Sequence, residues 1–140
     1  MFPACRRLQA AYLATDYRAR VAGRGVVIRI GVRVAAVDRA LARGGARAGC
    51  FVTACNPQGR LLPHPRNRRA MARLRWYLRG CRLRFAEAEG RGHGGDWPAE
   101  PSLLVFGLDR ARAATLGRRW RQNAVVHVRR GQPAVLLALR

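Results

Sequence analysis

Any fold open to this chain must keep 28 guanidinium groups at its surface, because arginine does not give up its proton and an unpaired buried charge is prohibitively costly. Only seven carboxylates accompany them over 140 residues, which leaves a formal net charge of +21, and the sequence contains no lysine. Self-repulsion of that size opposes compaction unless anions screen it or a large apolar interior outweighs it. The interior is available: 49% of the residues are hydrophobic, too many for a disordered basic tail. A GC-rich coding sequence explains arginine in place of lysine. It gives no reason for the scarcity of aspartate and glutamate. The charge therefore points to a polyanionic partner, RNA or DNA, or else to an acidic protein; the plain alternative is a solvated basic surface.

A chain of this length buries a core without staples, so residues 1–140 read as a single domain. The four cysteines, Cys5, Cys50, Cys55 and Cys81, form no Cys-x-x-Cys pair and have no histidine at zinc-finger spacing. Reduced thiols in a cytoplasmic protein fit them better than a disulfide scaffold or a metal site. No apolar run approaches transmembrane length, and the first 17 residues lack the apolar stretch of a signal peptide, so no membrane partner is expected. No cofactor is predicted either. The repeat Gly90-x-Gly92-x-Gly94 lacks the spacing of a phosphate loop and opens no helix, and no Walker A, His-Glu-x-x-His or nucleophile-elbow pattern occurs.

Hydrophobic spacing predicts the element order. A short helix over 7–14 leads into strands over 17–21 and 26–30, joined by the turn Ala22-Gly23-Arg24-Gly25, where glycine reaches positive φ at low steric cost. Val34, Val37 and Leu41 recur at helical spacing until Gly44 and Gly45 stop them. A strand over 50–54 ends at the turn pair Asn56-Pro57. The clearest helix spans 66–80, with Met71, Leu74 and Leu78 as its apolar stripe. A strand over 83–89 and a glycine- and proline-rich loop over 90–101 follow. The continuous apolar run 102–106 then belongs at the centre of a sheet. Asp109 caps a helix reaching about residue 121, with Gly117 as a candidate early stop, and strands over 124–128 and 134–139 close the chain as a hairpin. Hairpins mixed with helical crossovers predict an α+β fold with a mixed sheet, built from two β-hairpins and central strands with three to four packed helices.

On the helix over 66–80, Arg68, Arg69, Arg73, Arg75 and Arg79 take the side opposite the apolar stripe, with Trp76 among them. An indole between guanidinium groups can stack on bases while the arginines hold phosphates; it can equally pack beneath a loop. Asn67 falls on the inward side with Met71 and Leu74, where an unpartnered amide costs about 1–3 kcal/mol. The turn over 53–57 is its natural partner, either as a plain fastening or as part of a ligand cluster at a strand's end. A second cluster, Arg118, Arg119, Arg121, Gln122 and Asn123, can read a base edge or satisfy helix carbonyls. A third holds His93, Asp96, Trp97 and Glu100, but its two carboxylates, four residues apart across a proline, match no catalytic motif.

Several islands recur in order along nearly the whole chain. They are Ala14-Thr15-x-Tyr17, Arg29-Ile30-Gly31, Thr53-Ala54-x-Asn56-Pro57, Asn67, Trp97-Pro98-x-Glu100-Pro101-Ser102, Leu116-Gly117-Arg118 and Gln122-Asn123-Ala124. On them the chain resembles an uncharacterised bacterial family, domain of unknown function 3293. Where members often place a serine soon after the Asn-Pro turn, this chain has Gln58-Gly59. The resemblance implies no activity and transfers no catalytic residue. It does imply that the polar islands, rather than the scattered arginines, form whatever site exists.

Two functional expectations follow. In the first, a basic cytoplasmic domain binds nucleic acid or another polyanion through Arg68, Arg69, Arg73, Arg75, Trp76 and Arg79. In the alternative, a small-molecule-binding protein or enzyme has a pocket of Tyr17, Arg29, Thr53, Asn56, Asn67, Trp97, Glu100, Arg118, Gln122 and Asn123. The second requires those side chains to converge in one concavity.

Overall fold

Tight turns and helical crossovers alternate along the chain, and together they build one curled sheet. The computed structural model describes residues 3–95 and 98–139. Helix α1 (Pro3–Leu13) runs into strand β1 (Thr15–Val21), which turns back on β2 (Arg24–Ile28). That turn is shorter than the four residues expected from sequence. Only Ala22 and Gly23 lie outside the ladder, both at positive φ (51° and 76°), in the geometry that matches strand twist. Then come α2 (Ala35–Arg43), β3 (Ala48–Val52), a 3-10 turn (Pro57–Gly59), α3 (His64–Gly80), β4 (Phe85–Gly92) and β5 (Glu100–Phe106). Helix α4 (Arg110–Arg119) and the hairpin β6 (Ala124–Arg129) and β7 (Val135–Ala138) complete the fold.

The sheet has seven strands in the order β2-β1-β4-β5-β3-β6-β7. Every neighbouring pair is antiparallel, which corrects the mixed sheet expected from sequence. The helical crossovers do join parallel strands, as that expectation assumed. However, β5 lies between β3 and β4, β3 lies between β5 and β6, and three strands separate β2 from β3. No crossover places its two strands side by side, so no parallel ladder forms. Beyond β2, Ile30 bridges to Ala134 just ahead of β7, and Gly31 N–H donates to the Ala134 carbonyl at 2.8 Å. The two sheet edges thus meet at one end, and the sheet curls into a half-barrel.

Apolar residues cover both faces of the sheet, which is why 50–52, 103–106 and 124–126, in β3, β5 and β6, read as unbroken apolar runs. Against one face, α3 and α4 bury Met71, Leu74, Leu78 and Leu116 over Cys50, Leu103, Val105 and Val125. Against the other, Val37 and Leu41 of α2 pack with Tyr17, Ile28, Phe51, Leu104 and Val126. Asp109 caps α4 as expected, its Oδ1 accepting from Arg112 N–H at 2.8 Å. Gly117 does not stop that helix. A Cβ there would lie 2.5 Å from Leu139 Cδ1 and 2.6 Å from Val125 Cγ1, so glycine is what lets α4 sit on the closing hairpin. Among the described residues no helix is long and apolar enough to cross a membrane.

Candidate functional site

Strand β3 ends in a curl that regular backbone geometry does not allow. Asn56, Gln58 and Gly59 all take positive φ (47°, 59° and 72°), a region where asparagine and glycine carry the least steric penalty. Side chains hold the curl from three directions. Thr53 Oγ1 donates to the Pro101 carbonyl at 2.7 Å and accepts from Cys55 N–H at 2.9 Å, tying the curl to the start of β5. Gln122, buried after α4, donates through Nε2 to the Cys55 carbonyl at 3.2 Å and to the Trp120 carbonyl at 3.1 Å. Gln58 N–H donates to the Arg121 carbonyl at 2.7 Å. From α3, Asn67 accepts from Asn56 N–H at 3.0 Å, so its amide does turn inward to the Asn-Pro turn.

Asn56 is the hub. It is buried, its Oδ1 accepts from Leu62 N–H at 2.8 Å and from Asn67 Nδ2 at 2.9 Å, and its Nδ2 donates to Glu100 Oε2 at 2.8 Å. A neutral amide thereby couples a carboxylate to the helix. Next to Glu100 in sequence, Pro101 and then Ser102 lead into the core. The Ser102 hydroxyl is buried without a hydrogen-bond partner among the described residues, as is the Trp120 indole N–H.

The Asn56–Glu100 pair forms the common wall of two cavities. One, of about 500 Å³, lies under the start of α3 and is bounded by Leu61, Leu62, His64, Asn67, Arg68, Met71, Arg75 and the segment 98–101. The other, of about 460 Å³, opens toward α1 and the loop after β4. Tyr12, Thr15, Tyr17, His93, Gln122 and Asn123 line it together with Asn56 and Glu100. Burial, and then the charge of Glu100, push the Tyr12 phenol up to about 12. Burial, and then Tyr12, raise Tyr17 as well, so both rings present neutral hydroxyls at physiological pH. Burial also raises the Cys55 thiol, which keeps it protonated.

A charged cluster supports the rim of the second cavity. Asp16 has a side chain only 12% exposed, and its Oδ1 takes Arg29 Nε at 2.8 Å and His93 Nε2 at 2.7 Å. The hydrogen bond from Arg29, then that from His93, hold this carboxyl well below the usual carboxylate range. The loop is also pinned through its backbone, His93 N–H donating to the Ala14 carbonyl at 2.8 Å. With Asp16 on Nε2, the imidazole has a fixed orientation at the cavity edge, and it is the nearest thing here to a proton-transfer group. Among the described residues, no three His, Cys, Asp or Glu side chains gather as a metal site would require.

Of the pocket residues expected from sequence, Tyr17, Asn56, Asn67, Glu100, Gln122 and Asn123 line one cavity or the other. Thr53 supports them through Pro101, and Arg29 supports His93 through Asp16. Arg118 is exposed on α4 and lines neither cavity. Trp97 and Asp96 lie outside the described residues. Sequence reasoning missed Tyr12 and Asp16 and undervalued His93. A two-residue turn would have revealed Asp16, because that register sets it opposite Arg29.

The arginine face of α3 is in part neutralised. Arg75 forms an ion pair with Glu87 at 2.6 Å, and the Arg79 guanidinium lies over the Phe85 ring, 5.5 Å from its centre. Arg68, Arg69 and Arg73 are exposed and have no ion pair among the described residues, and Trp76, one turn beyond Arg73, is 79% exposed.

The three segments that meet at Asn56 fall within residues 52–125, and over that span the chain matches the family model described as a protein of unknown function, DUF3293. The chain belongs to the DUF3293 family. The match covers more than half the chain and includes the curl, α3, the Glu100 segment and the Gln122–Asn123 turn. Tyr12, Asp16, Tyr17 and Arg29, which shape the second cavity, lie before the DUF3293 span. No curated protein and no solved structure matches.

Proposed function

We propose that the protein binds a small polar molecule in the two-lobed site around Asn56 and Glu100. One observation carries this reading: segments far apart in sequence converge on a buried amide, Asn56, paired with the half-buried Glu100 carboxylate, and the pair is the shared wall of two cavities. Each volume suits a small ligand. In a chain of 28 arginines, none among the described residues lines the lobe toward α1, while one of only seven carboxylates does. Tyrosine hydroxyls, side-chain amides, an imidazole and a carboxylate favour an uncharged or cationic ligand rich in N–H and O–H donors over a phosphorylated one. The test is thermal denaturation against a panel of uncharged nucleosides, amines and amino-acid amides, each paired with a phosphorylated or acidic counterpart. A true ligand at a hundredfold its Kd adds about 2.7 kcal/mol, which raises Tm by about 9 °C for a chain of this size. Glu100→Gln should abolish the shift. A panel in which only the phosphorylated members stabilise the protein would overturn the reading.

A second reading, contact with a polyanion, is supported by a separate observation. Arg68, Arg69 and Arg73 of α3, without an ion pair among the described residues, share a helix surface with an indole that the fold leaves 79% exposed. Such a contact must weaken steeply with salt. Salt-independent retention on immobilised heparin, or none at all, would end it.

A further inference from the structure

Resting on that second reading, we infer that the outer face of α3 is a track for single-stranded nucleic acid, with a base stacked on Trp76 and phosphates held by Arg69 and Arg73. Charge alone does not single out this face, because arginines are exposed on all four helices and on β1, β2, β4 and β6. The indole does. Among the exposed large apolar side chains of the described residues, Trp76 is the most exposed, at 79%. Among the described residues no aromatic or cation–π contact involves it, whereas Tyr77, its neighbour on the same helix, is sandwiched against Trp120 and the Arg119 guanidinium. Its exposure therefore has no packing role.

Helical spacing sets the geometry. Arg69, Arg73 and Trp76 stand four and three residues apart, so they form one stripe about 10 Å long on the helix surface. The arginines that point toward β4 are already occupied, Arg75 by Glu87 and Arg79 by Phe85. Arg69 and Arg73, on the same stripe as the indole, have no ion pair among the described residues. A flat ring at the end of a row of planar guanidinium groups matches a base beside the phosphates of an unpaired strand. A duplex offers its phosphates but keeps its bases stacked, and an acidic protein surface presents carboxylates without flat rings between them. Of these partners, the single strand alone uses both chemistries. Arg68 sits on this face and also on the rim of the α3 lobe, so a bound strand passes close to the mouth of that cavity.

The experiment titrates the full chain into fluorescein-labelled oligothymidylate and into the same strand annealed to its complement, reading anisotropy at several salt concentrations. Expected is tighter binding of the single strand, with a slope of log K against log salt of about −0.7 per phosphate contact. Trp76→Ala removes an exposed side chain and should leave the melting curve unchanged while weakening single-strand binding by about tenfold. Arg69→Gln with Arg73→Gln should shorten the salt slope. If the arginine variant loses affinity but Trp76→Ala does not, or if duplex binds as tightly as single strand, the stacking track is wrong while the polyanion reading survives. If neither oligonucleotide nor heparin binds, both fall, and that includes the case in which an acidic protein is the natural partner.

Discussion

Replacing Asn56 by alanine is the sharpest probe of the candidate site, because one side chain there makes three hydrogen bonds from a backbone conformation that alanine dislikes. Two of the bonds involve neutral groups, the Leu62 N–H and the Asn67 amide, and each contributes about 1 kcal/mol net. The third goes to the Glu100 carboxylate, and bonds to charged groups contribute about 2 kcal/mol. Holding alanine at a φ of 47° costs about a further 1 kcal/mol. Together these give a loss of about 5 kcal/mol, a large part of the stability of an ordinary domain. For a chain of this length each kcal/mol moves Tm by about 3 °C, so Asn56→Ala should melt about 15 °C below the parent. Asn56→Gly separates the two causes. It strands the same partners but accepts the positive φ, so it should melt about 3 °C higher than the alanine variant. Urea unfolding with an unchanged m-value checks that both are losses of native stability. If both variants cost less than about 1 kcal/mol, the network is ornamental and the wall between the two cavities has no rigid hub.

Gly117→Ala tests the close approach of α4 to the closing hairpin. Helix propensity alone would make the change stabilising, but a Cβ 2.5 Å from Leu139 Cδ1 and 2.6 Å from Val125 Cγ1 should instead destabilise by about 1–3 kcal/mol, and against a background in which Leu139 and Val125 are both trimmed to alanine the added methyl should cost nothing further. Asp16 predicts a pH dependence. Its folded pKa is depressed below the ordinary 3.8 by Arg29 and His93, so its contribution is full above that value and is lost as pH falls toward the folded pKa. Asp16→Asn should therefore flatten the fall of Tm on the acid side of about pH 4; identical acid limbs for the two proteins would refute the pairing. Tyr12 gives an alkaline counterpart. Its pKa near 12 means that the neutral phenol favours the fold, an advantage lost between about pH 10 and 12, and Tyr12→Phe should remove that loss from the alkaline melting profile.

What the sequence made legible was whatever depends on local periodicity. The unbroken apolar run of β5 placed it at the centre of the sheet, and it is the fourth of seven strands. The 3.6-residue period put Asn67 with Met71 and Leu74, and its amide does meet the Asn56 turn. What stayed hidden depends on register and on which strands a crossover skips. A four-residue turn after β1 and a two-residue turn look alike in composition, yet only the shorter one sets Asp16 opposite Arg29. His93 reaches Asp16 across 77 residues of chain, a distance no spacing rule spans. The antiparallel character of the sheet was lost for a related reason: a helical crossover shows that two strands run the same way, not that they are neighbours. On α3, the charge pattern was plain, but that Glu87 and Phe85 would occupy Arg75 and Arg79 required knowing that β4 runs beside that helix.

The arginine surface and the polar site make opposite demands on their ligands, and one variable separates them on a single protein. A strand on α3 displaces counterions, so its affinity must fall with salt by a power set by the number of phosphates held. An uncharged ligand in the lobe toward α1 meets tyrosine, amide and imidazole groups and no arginine among the described residues, so it displaces almost none. Its affinity should stay within about twofold from low to high salt, because an uncharged ligand releases no condensed counterions on binding. A cationic ligand would instead bind more tightly as salt rises, since the net charge of +21 repels it and screening relieves that repulsion. Falling, flat and rising salt profiles thus correspond to three different occupants. A small-molecule profile that falls as steeply as that of the oligonucleotide would mean the arginines, not Asn56 and Glu100, hold that ligand.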